Sequence, residues 1–182
     1  SLIKSMKTII LDNIMSEKEL YFMYNEIISY PGWRINAQSS NQKGYSKAPI
    51  LIVRETDGNI EHYPFFIWGQ TVIFRIQDYL KEKNIGLPTK LDSMWFNSTH
   101  HGKKTQHWLH QDDSNSQSKS ILLFMTPLWQ PDWRGSFYVD GEEFKFKPGS
   151  AVVFDSKEYH RGESPGSEIH NWQRITCNIM VK

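Results

Sequence analysis

His110 and Asp112 are the first residues whose types and spacing suggest chemistry. In an extended segment, residues i and i+2 point to the same side, so this imidazole and carboxylate can converge on one metal ion. His160 offers a third donor, because the turn at Pro148-Gly149 and the apolar run at residues 151–154 predict a buried strand shortly before it. Two imidazoles and one carboxylate make a facial set that leaves coordination positions open. A solvated His-x-Asp loop and a packed histidine remain the alternatives.

Arg174 is a fourth candidate, in an apolar run near the end of the sequence. If residues 172–181 form a strand, alternation predicts one largely polar face (Trp172, Arg174, Thr176, Asn178) and one apolar face (Ile175, Cys177, Ile179, Val181). The apolar face should pack against helices, and the polar face should line a cavity. A buried arginine needs an anionic partner, and a dicarboxylate fits its guanidinium fork, with Thr176 beside it. The alternative is an arginine exposed at a strand end or paired to a distant glutamate.

The first half of the sequence predicts helices that support these residues. Ser16 and Glu19 have the spacing of a capping box, and helical periodicity follows until Pro31-Gly32. A second helix is predicted from about residue 64 to about residue 83. The polar stretch at residues 34–48 predicts a loop, which is a candidate lid.

The second half predicts short strands separated by turns. A short strand is also predicted in the first half, at residues 50–54. The strands of the second half are predicted at residues 120–125, 136–139, 143–147, 151–154 and 172–181, with a hairpin signal at Asp140-Gly141. This pattern is typical of a barrel or a sandwich. Because no repeat or linker interrupts the sequence, we predict a single α+β domain over residues 1–182. Its helical support covers about residues 1–90, and its β core covers about residues 91–182.

Composition narrows the class and the compartment. A lone cysteine, Cys177, rules out an intramolecular disulfide and favours the cytoplasm. No run reaches the roughly 18 apolar residues of a membrane span, so we expect no membrane association. With 21 basic and 20 acidic residues the net charge is +1, which argues against non-specific nucleic-acid binding.

The motifs together resemble a known family. His110-Gln111-Asp112, Pro148-Gly149 followed by His160, and Arg174-Ile175-Thr176 resemble the 2-oxoglutarate/Fe(II)-dependent oxygenases in their prolyl-hydroxylase-like form. The stretch from Trp129 to Gly135 is similar to a hairpin of that family. The resemblance covers roughly residues 91–182, and the combination is far more specific than any single motif.

The resemblance implies a fold, cofactors and a reaction. The fold would be a double-stranded β-helix, or jelly roll, braced by the N-terminal helices. His110, Asp112 and His160 would be the catalytic Fe(II) ligands, while Arg174 and Thr176 would bind the distal carboxylate of 2-oxoglutarate. With O2, the enzyme would couple oxidative decarboxylation of 2-oxoglutarate to hydroxylation of a peptide or small-molecule substrate. The sequence leaves the substrate and the oligomeric state open.

Several positions depart from the family pattern. Arg134-Gly135 stands where paired glycines are usual, and many prolyl hydroxylases have lysine in place of Arg174. Asn97 and Gly102 are similar to a motif of AlkB-type demethylases, but Thr99 and Met180 replace its tyrosine and second arginine, which disfavours a repair role. In the related halogenases a small residue replaces the carboxylate ligand and leaves room for a halide ion. Asp112 is present here, so the resemblance favours hydroxylation over halogenation.

Two other classes stay open as alternatives. The first is a non-catalytic jelly-roll module that binds a peptide or carbohydrate through its aromatic residues, of which one or two among Trp95, Trp108, Trp129 and Trp133 are expected at the pocket mouth. The second is a cupin-like metal enzyme without 2-oxoglutarate, although the His-x-His motif expected there is absent. His100, His101 and His107 are interpreted as loop residues, and Asp113 as a weaker candidate ligand than Asp112.

Overall fold

The computed structural model describes residues 6–35, 49–99, 109–114, 117–166 and 173–182. Within these ranges the elements are β1 (Ile9–Leu11), α1 (Glu17–Ser29), β2 (Arg34–Ile35), β3 (Pro49–Arg54), α2 (Tyr63–Lys81), β4 (Leu91–Thr99), β5 (Lys119–Phe124), β6 (Phe137–Val139), β7 (Glu142–Phe144), β8 (Ala151–Asp155), β9 (His160–Gly162) and β10 (Arg174–Val181). The described residues form a mixed α/β structure with two helices and antiparallel sheets. This is the coarse class that the sequence predicts.

Both helices begin at capped ends, close to their predicted bounds. The Ser16 hydroxyl accepts a hydrogen bond from the Glu19 amide (3.2 Å), so α1 starts directly after Ser16. The His62 ring caps α2 by accepting from the Phe65 amide (3.0 Å). None of the helices in the described ranges is long and apolar enough to cross a bilayer.

A seven-stranded sheet organises the domain, in the order β1-β8-β5-β10-β4-β3-β2. β10 lies at its centre, antiparallel to both β5 and β4. The sequence predicts β3 but not β1 or β2, so the description of residues 1–90 as helical support is incomplete. β1 pairs with β8 and β3 pairs with β4, which makes the N-terminal part a contributor to the sheet.

Three further strands form a second, separate sheet, in the order β7-β6-β9. Asp140 and Gly141 both have positive φ (48° and 80°) in the tight turn that joins β6 to β7, as the hairpin signal predicts. β7 is shorter than its predicted strand and ends at Phe144. β9 pairs with β6 through Val139 and His160.

The large sheet separates two apolar clusters. Alternate residues of β10 (Ile175, Cys177, Ile179, Val181) join buried residues of α1 and α2, as predicted for the apolar face of this strand. The second cluster contains Leu122, Phe124, Phe137, Val139, Phe144, Phe146, Val152 and Phe154, and so joins the large sheet to the small one. The polar face of β10 therefore lies on the side of the small sheet.

Candidate metal and carboxylate site

His110, Asp112 and His160 come together although they are far apart in the sequence. One potential ligand atom from each lies within 4.8 Å of the others. Asp112 Oδ1 is 3.2 Å from His160 Nε2 and 3.7 Å from His110 Nε2. Donor atoms at adjacent corners of an octahedral ion, each about 2.1 Å from it, lie roughly 3 Å apart. The two distances from Asp112 are close to this value, so the three side chains could hold one metal ion.

Backbone pairing, and not a regular strand, positions His110 and Asp112. His110 lies outside the regular strands and forms an isolated antiparallel bridge with His160. His110 and His160 exchange two hydrogen bonds between backbone amides and carbonyls, of 3.0 and 2.9 Å. The Asp112 amide donates to the Ser156 carbonyl (3.0 Å). The Gln111 side chain donates instead to the Lys157 carbonyl. The same two side chains still meet, because this pairing holds the segment against the start of β9.

The Asp112 carboxylate is held on its second oxygen. The Ser120 hydroxyl donates to Asp112 Oδ2 (2.7 Å) and lies 2.8 Å from the Ser156 hydroxyl. Burial by itself would raise the pKa of Asp112, but hydrogen bonds and charge from His160, Ser120 and His110 outweigh it, so the pKa lies below its ordinary value. Asp112 is therefore ionised, with Oδ1 turned towards the two histidines. The sequence analysis did not predict a role for Ser120, a buried polar residue at the start of β5 directly before the apolar run at residues 121–124.

The buried His160 ring is fixed in one tautomer. Its Nδ1 lies 3.0 Å from the Glu158 carbonyl, which can only accept, so Nδ1 carries a proton. In the neutral ring Nε2 then has the free lone pair, which is the state a metal ligand needs. Burial lowers the pKa of His160, but the Asp112 hydrogen bond and charge and the Glu158 carbonyl outweigh it, so the pKa is raised.

One pocket joins this cluster to the arginine of β10. It holds about 450 Å³ of empty space, part of it open to solvent, and His110, His160, Arg174 and Thr176 all line it. Among the four tryptophans that the sequence singles out, Trp95 lines this pocket and Trp108 lies outside the described residues. Trp129 stacks on Phe146 (4.2 Å between ring centroids).

Arg174 is buried, and backbone oxygens hold its guanidinium. Nε donates to the Gly135 carbonyl (2.7 Å) and Nη2 to the Ser136 carbonyl (3.4 Å), while the group lies over the Phe146 ring at 5.6 Å. No carboxylate in the described part of the chain forms an ion pair with it. Burial lowers the pKa of Arg174 to about 10, against the opposing effect of the charge of Glu163. Arg174 thus remains a cation that lacks a described anionic partner.

Two buried polar atoms in the pocket wall lack a hydrogen-bond partner among the described residues. They are Thr99 Oγ1 and Asn178 Nδ2, and both residues line the same pocket as Arg174. Thr99 lies directly opposite Arg174 across the β4–β10 pairing. An unsatisfied buried polar atom costs about 1–3 kcal/mol, so a polar ligand in this pocket would be favoured. A dicarboxylate with a keto group supplies acceptors for such groups.

The remaining candidates lie elsewhere. Asp113 accepts from the Ser118 hydroxyl (3.1 Å) and lies 3.6 Å from the Lys182 ammonium group, so it is not a member of the metal cluster. His100, His101 and His107 lie outside the described residues, as do Gly102, Trp172 and most of the candidate lid.

Solved structures share this fold. No family model matches the sequence, and no curated protein does. A Pseudomonas putida prolyl-4-hydroxylase is 14% identical with a TM-score of 0.65, over 96% of this chain and 92% of that one. A Burkholderia pseudomallei oxidoreductase of the 2OG-Fe(II) oxygenase family is 10% identical with a TM-score of 0.68, over 96% and 84%. The carbocyclase SnoK of nogalamycin biosynthesis, α-ketoglutarate-dependent and non-haem, is 12% identical with a TM-score of 0.63, over 95% and 78%.

These likenesses concern the fold. They extend over nearly the whole chain, so they include α1 and α2 as well as the sheets. At 10–14% identity they leave the chemistry of this chain to be argued from its own residues. The predicted resemblance to 2-oxoglutarate/Fe(II) oxygenases is confirmed at the level of the fold.

Proposed function

We propose that this protein is an Fe(II)- and 2-oxoglutarate-dependent dioxygenase that hydroxylates a peptide or small-molecule substrate. The main support is that one pocket is lined both by two of the three potential metal ligands, His110 and His160, and by the buried Arg174. Arg174 has no anionic partner among the described residues. A group of potential metal ligands alone, or a buried arginine alone, has several explanations. Both in one pocket match the two ends of 2-oxoglutarate, a keto acid that chelates iron and a carboxylate that pairs with a guanidinium.

The ligand roles follow from the donor set. His110 and His160 would bind iron through Nε2 and Asp112 through Oδ1, as a facial set of two imidazoles and one carboxylate. Iron with 2-oxoglutarate and O2 would supply the oxidation of a C–H bond. The Glu158 carbonyl and the Ser120 hydroxyl orient two of the ligands, which keeps Nε2 and Oδ1 directed at the metal position.

The cosubstrate roles follow from the opposite part of the pocket. Arg174 would bind the distal carboxylate through Nη1 and the second N–H of Nη2, and Thr176 and Thr99 would contribute hydroxyls. The apolar cluster behind the pocket limits water around the guanidinium, which strengthens its attraction for an anion.

The architecture belongs to the same proposal. We interpret the seven-stranded and three-stranded sheets as the two sheets of a double-stranded β-helix, within one domain over residues 1–182. The compartment remains the cytoplasm predicted from the lone cysteine. The solved structures with this fold include a prolyl-4-hydroxylase and a biosynthetic carbocyclase, which keeps both peptides and small molecules as substrate classes.

Anaerobic addition of Fe(II) and 2-oxoglutarate tests the proposal. We expect a weak visible charge-transfer band in the wild-type protein and its loss in Arg174→Ala at the same 2-oxoglutarate concentration. A non-catalytic binding module would give no band in either protein. A band that is equally strong in Arg174→Ala would contradict the role given to Arg174.

A further inference from the structure

Glu163 is the acidic residue whose charge acts on Arg174, yet it is held by other groups. Its Oε1 accepts from Nε and Nη2 of Arg134 at 3.3 and 3.1 Å. Its Oε2 accepts from the Ser136 amide at 3.2 Å. Both carboxylate oxygens of Glu163 are therefore engaged without Arg174.

The segment of residues 134–136 binds both charged side chains. The Gly135 and Ser136 carbonyls accept from Arg174, while the Arg134 guanidinium and the Ser136 amide donate to Glu163. A buried arginine and a nearby carboxylate attract each other strongly in a low-dielectric surrounding. Their separation here thus depends on the competing contacts that this segment provides.

Arg134 holds its place in an unusual backbone conformation. Its φ is +60°, a region that disfavours residues with a side chain. Such a conformation persists where surrounding contacts enforce it. The contacts of Arg134 are the ion pair with Glu163 and, through its carbonyl, a hydrogen bond from the Trp129 indole (2.9 Å). A glycine would suit the backbone but would leave Glu163 without its cation.

We propose that Arg134 is a positioning residue that holds Glu163 away from Arg174 and so keeps Arg174 free for an anionic ligand. The inference rests on the proposed function, in which that anion is the distal carboxylate of 2-oxoglutarate. Without Arg134, Glu163 would turn to Arg174, and an incoming carboxylate would have to displace it. Arg134 then sets cosubstrate affinity without touching the cosubstrate.

Calorimetric titration of the full chain, loaded with Mn(II), with 2-oxoglutarate tests this. Arg134→Asn removes the charge but keeps a residue that tolerates positive φ. We expect it to weaken 2-oxoglutarate binding about tenfold, equivalent to about 1.4 kcal/mol. Arg134→Lys, which keeps a cation for Glu163, should recover most of the affinity. Glu163→Gln in the Arg134→Asn background should also restore it, because the competing charge is then gone.

Two controls separate this effect from general electrostatics. Arg161→Asn removes a cation from the small sheet whose guanidinium lies over the Tyr138 ring (4.2 Å), so it should leave 2-oxoglutarate affinity nearly unchanged. Pyruvate has the keto-acid end of 2-oxoglutarate without the distal carboxylate. Its binding to the Mn(II)-loaded protein should not respond to Arg134→Asn.

The double variant decides the inference. If Arg134→Asn binds 2-oxoglutarate as wild type does, or if Glu163→Gln fails to restore lost binding, the inference is overturned, and the second result would assign the effect to the shape of the hairpin. Failure of the proposed function gives another pattern: the wild-type protein would not bind 2-oxoglutarate, or Arg174→Ala would bind it equally well.

Discussion

Substitution of Gly135 by alanine would place one added methyl group directly against Trp129 and Arg174. A Cβ atom there would lie 2.8 Å from Cζ2 of Trp129 and 3.1 and 3.2 Å from Cδ and Nε of Arg174. The residue also has φ +80°, where an L-residue costs about 1–2 kcal/mol. Overpacking of a well-filled site costs about 1–3 kcal/mol more. We therefore expect Gly135→Ala to lower the free energy of unfolding by about 2–5 kcal/mol.

Gly141→Ala is the matched control for this substitution. Gly141 has the same φ of +80°, but an added Cβ would have no neighbour within 4 Å among the described residues. It should therefore lose only the conformational part, about 1–2 kcal/mol. The difference between the two variants isolates the contact with Trp129 and Arg174.

Urea unfolding and 2-oxoglutarate titration give the two readouts. Gly135→Ala should also weaken 2-oxoglutarate binding by at least about tenfold, because the added methyl group displaces Arg174 from the Gly135 carbonyl, a hydrogen bond to a charged group worth about 1.5–3 kcal/mol. Gly141→Ala should bind 2-oxoglutarate normally. Equal stability losses in the two variants, or normal cosubstrate binding by Gly135→Ala, would refute the close packing assigned to Arg174.

Three further predictions concern the metal cluster and the buried charges. Ser120→Ala frees Asp112 Oδ2 and should weaken Mn(II) binding about 10- to 100-fold, with Ser120→Thr near wild type; unchanged affinity in a metal titration would contradict the orienting role. The pKa of His160 is raised above 6.5, and its ring must lose the proton on Nε2 before it can bind a metal ion. Mn(II) affinity should therefore fall as the pH drops through that raised pKa, and a constant affinity between about pH 8 and about pH 5.5 would argue against His160 as a ligand. Lys119 and Asp155 form a fully buried ion pair (2.5 Å), so Lys119→Met should lower the free energy of unfolding by about 3–5 kcal/mol, measured by urea unfolding. The further substitution Asp155→Leu should recover part of that loss, and a single variant as stable as wild type would be inconsistent with a buried, paired charge.

The regular elements were predictable where the sequence carries local signals. The Ser16 cap, the Asp140-Gly141 turn and the alternation of β10 each depend on a few neighbouring residues, and the structure confirms all three. The alternation also predicted that Arg174 and Thr176 face a cavity, and both line the pocket.

Other features depend on contacts between distant segments, which spacing alone does not encode. β1 has three residues and pairs with β8 at the sheet edge, so it lacks a pattern of its own. His110 and Asp112 converge through backbone bonds to residues 156 and 160, and not through strand geometry. The partners of Arg174 are the carbonyls of Gly135 and Ser136, about forty positions away, where the sequence led us to expect an acidic group or a ligand.

A crystal structure of the protein with Mn(II) and 2-oxoglutarate would show whether the metal ion and the cosubstrate occupy this pocket together. We expect one metal ion bound by Nε2 of His110, Nε2 of His160 and Oδ1 of Asp112, with the far carboxylate of 2-oxoglutarate on the guanidinium of Arg174. A metal ion bound elsewhere, or a 2-oxoglutarate molecule that leaves Arg174 without a carboxylate, would contradict this expectation.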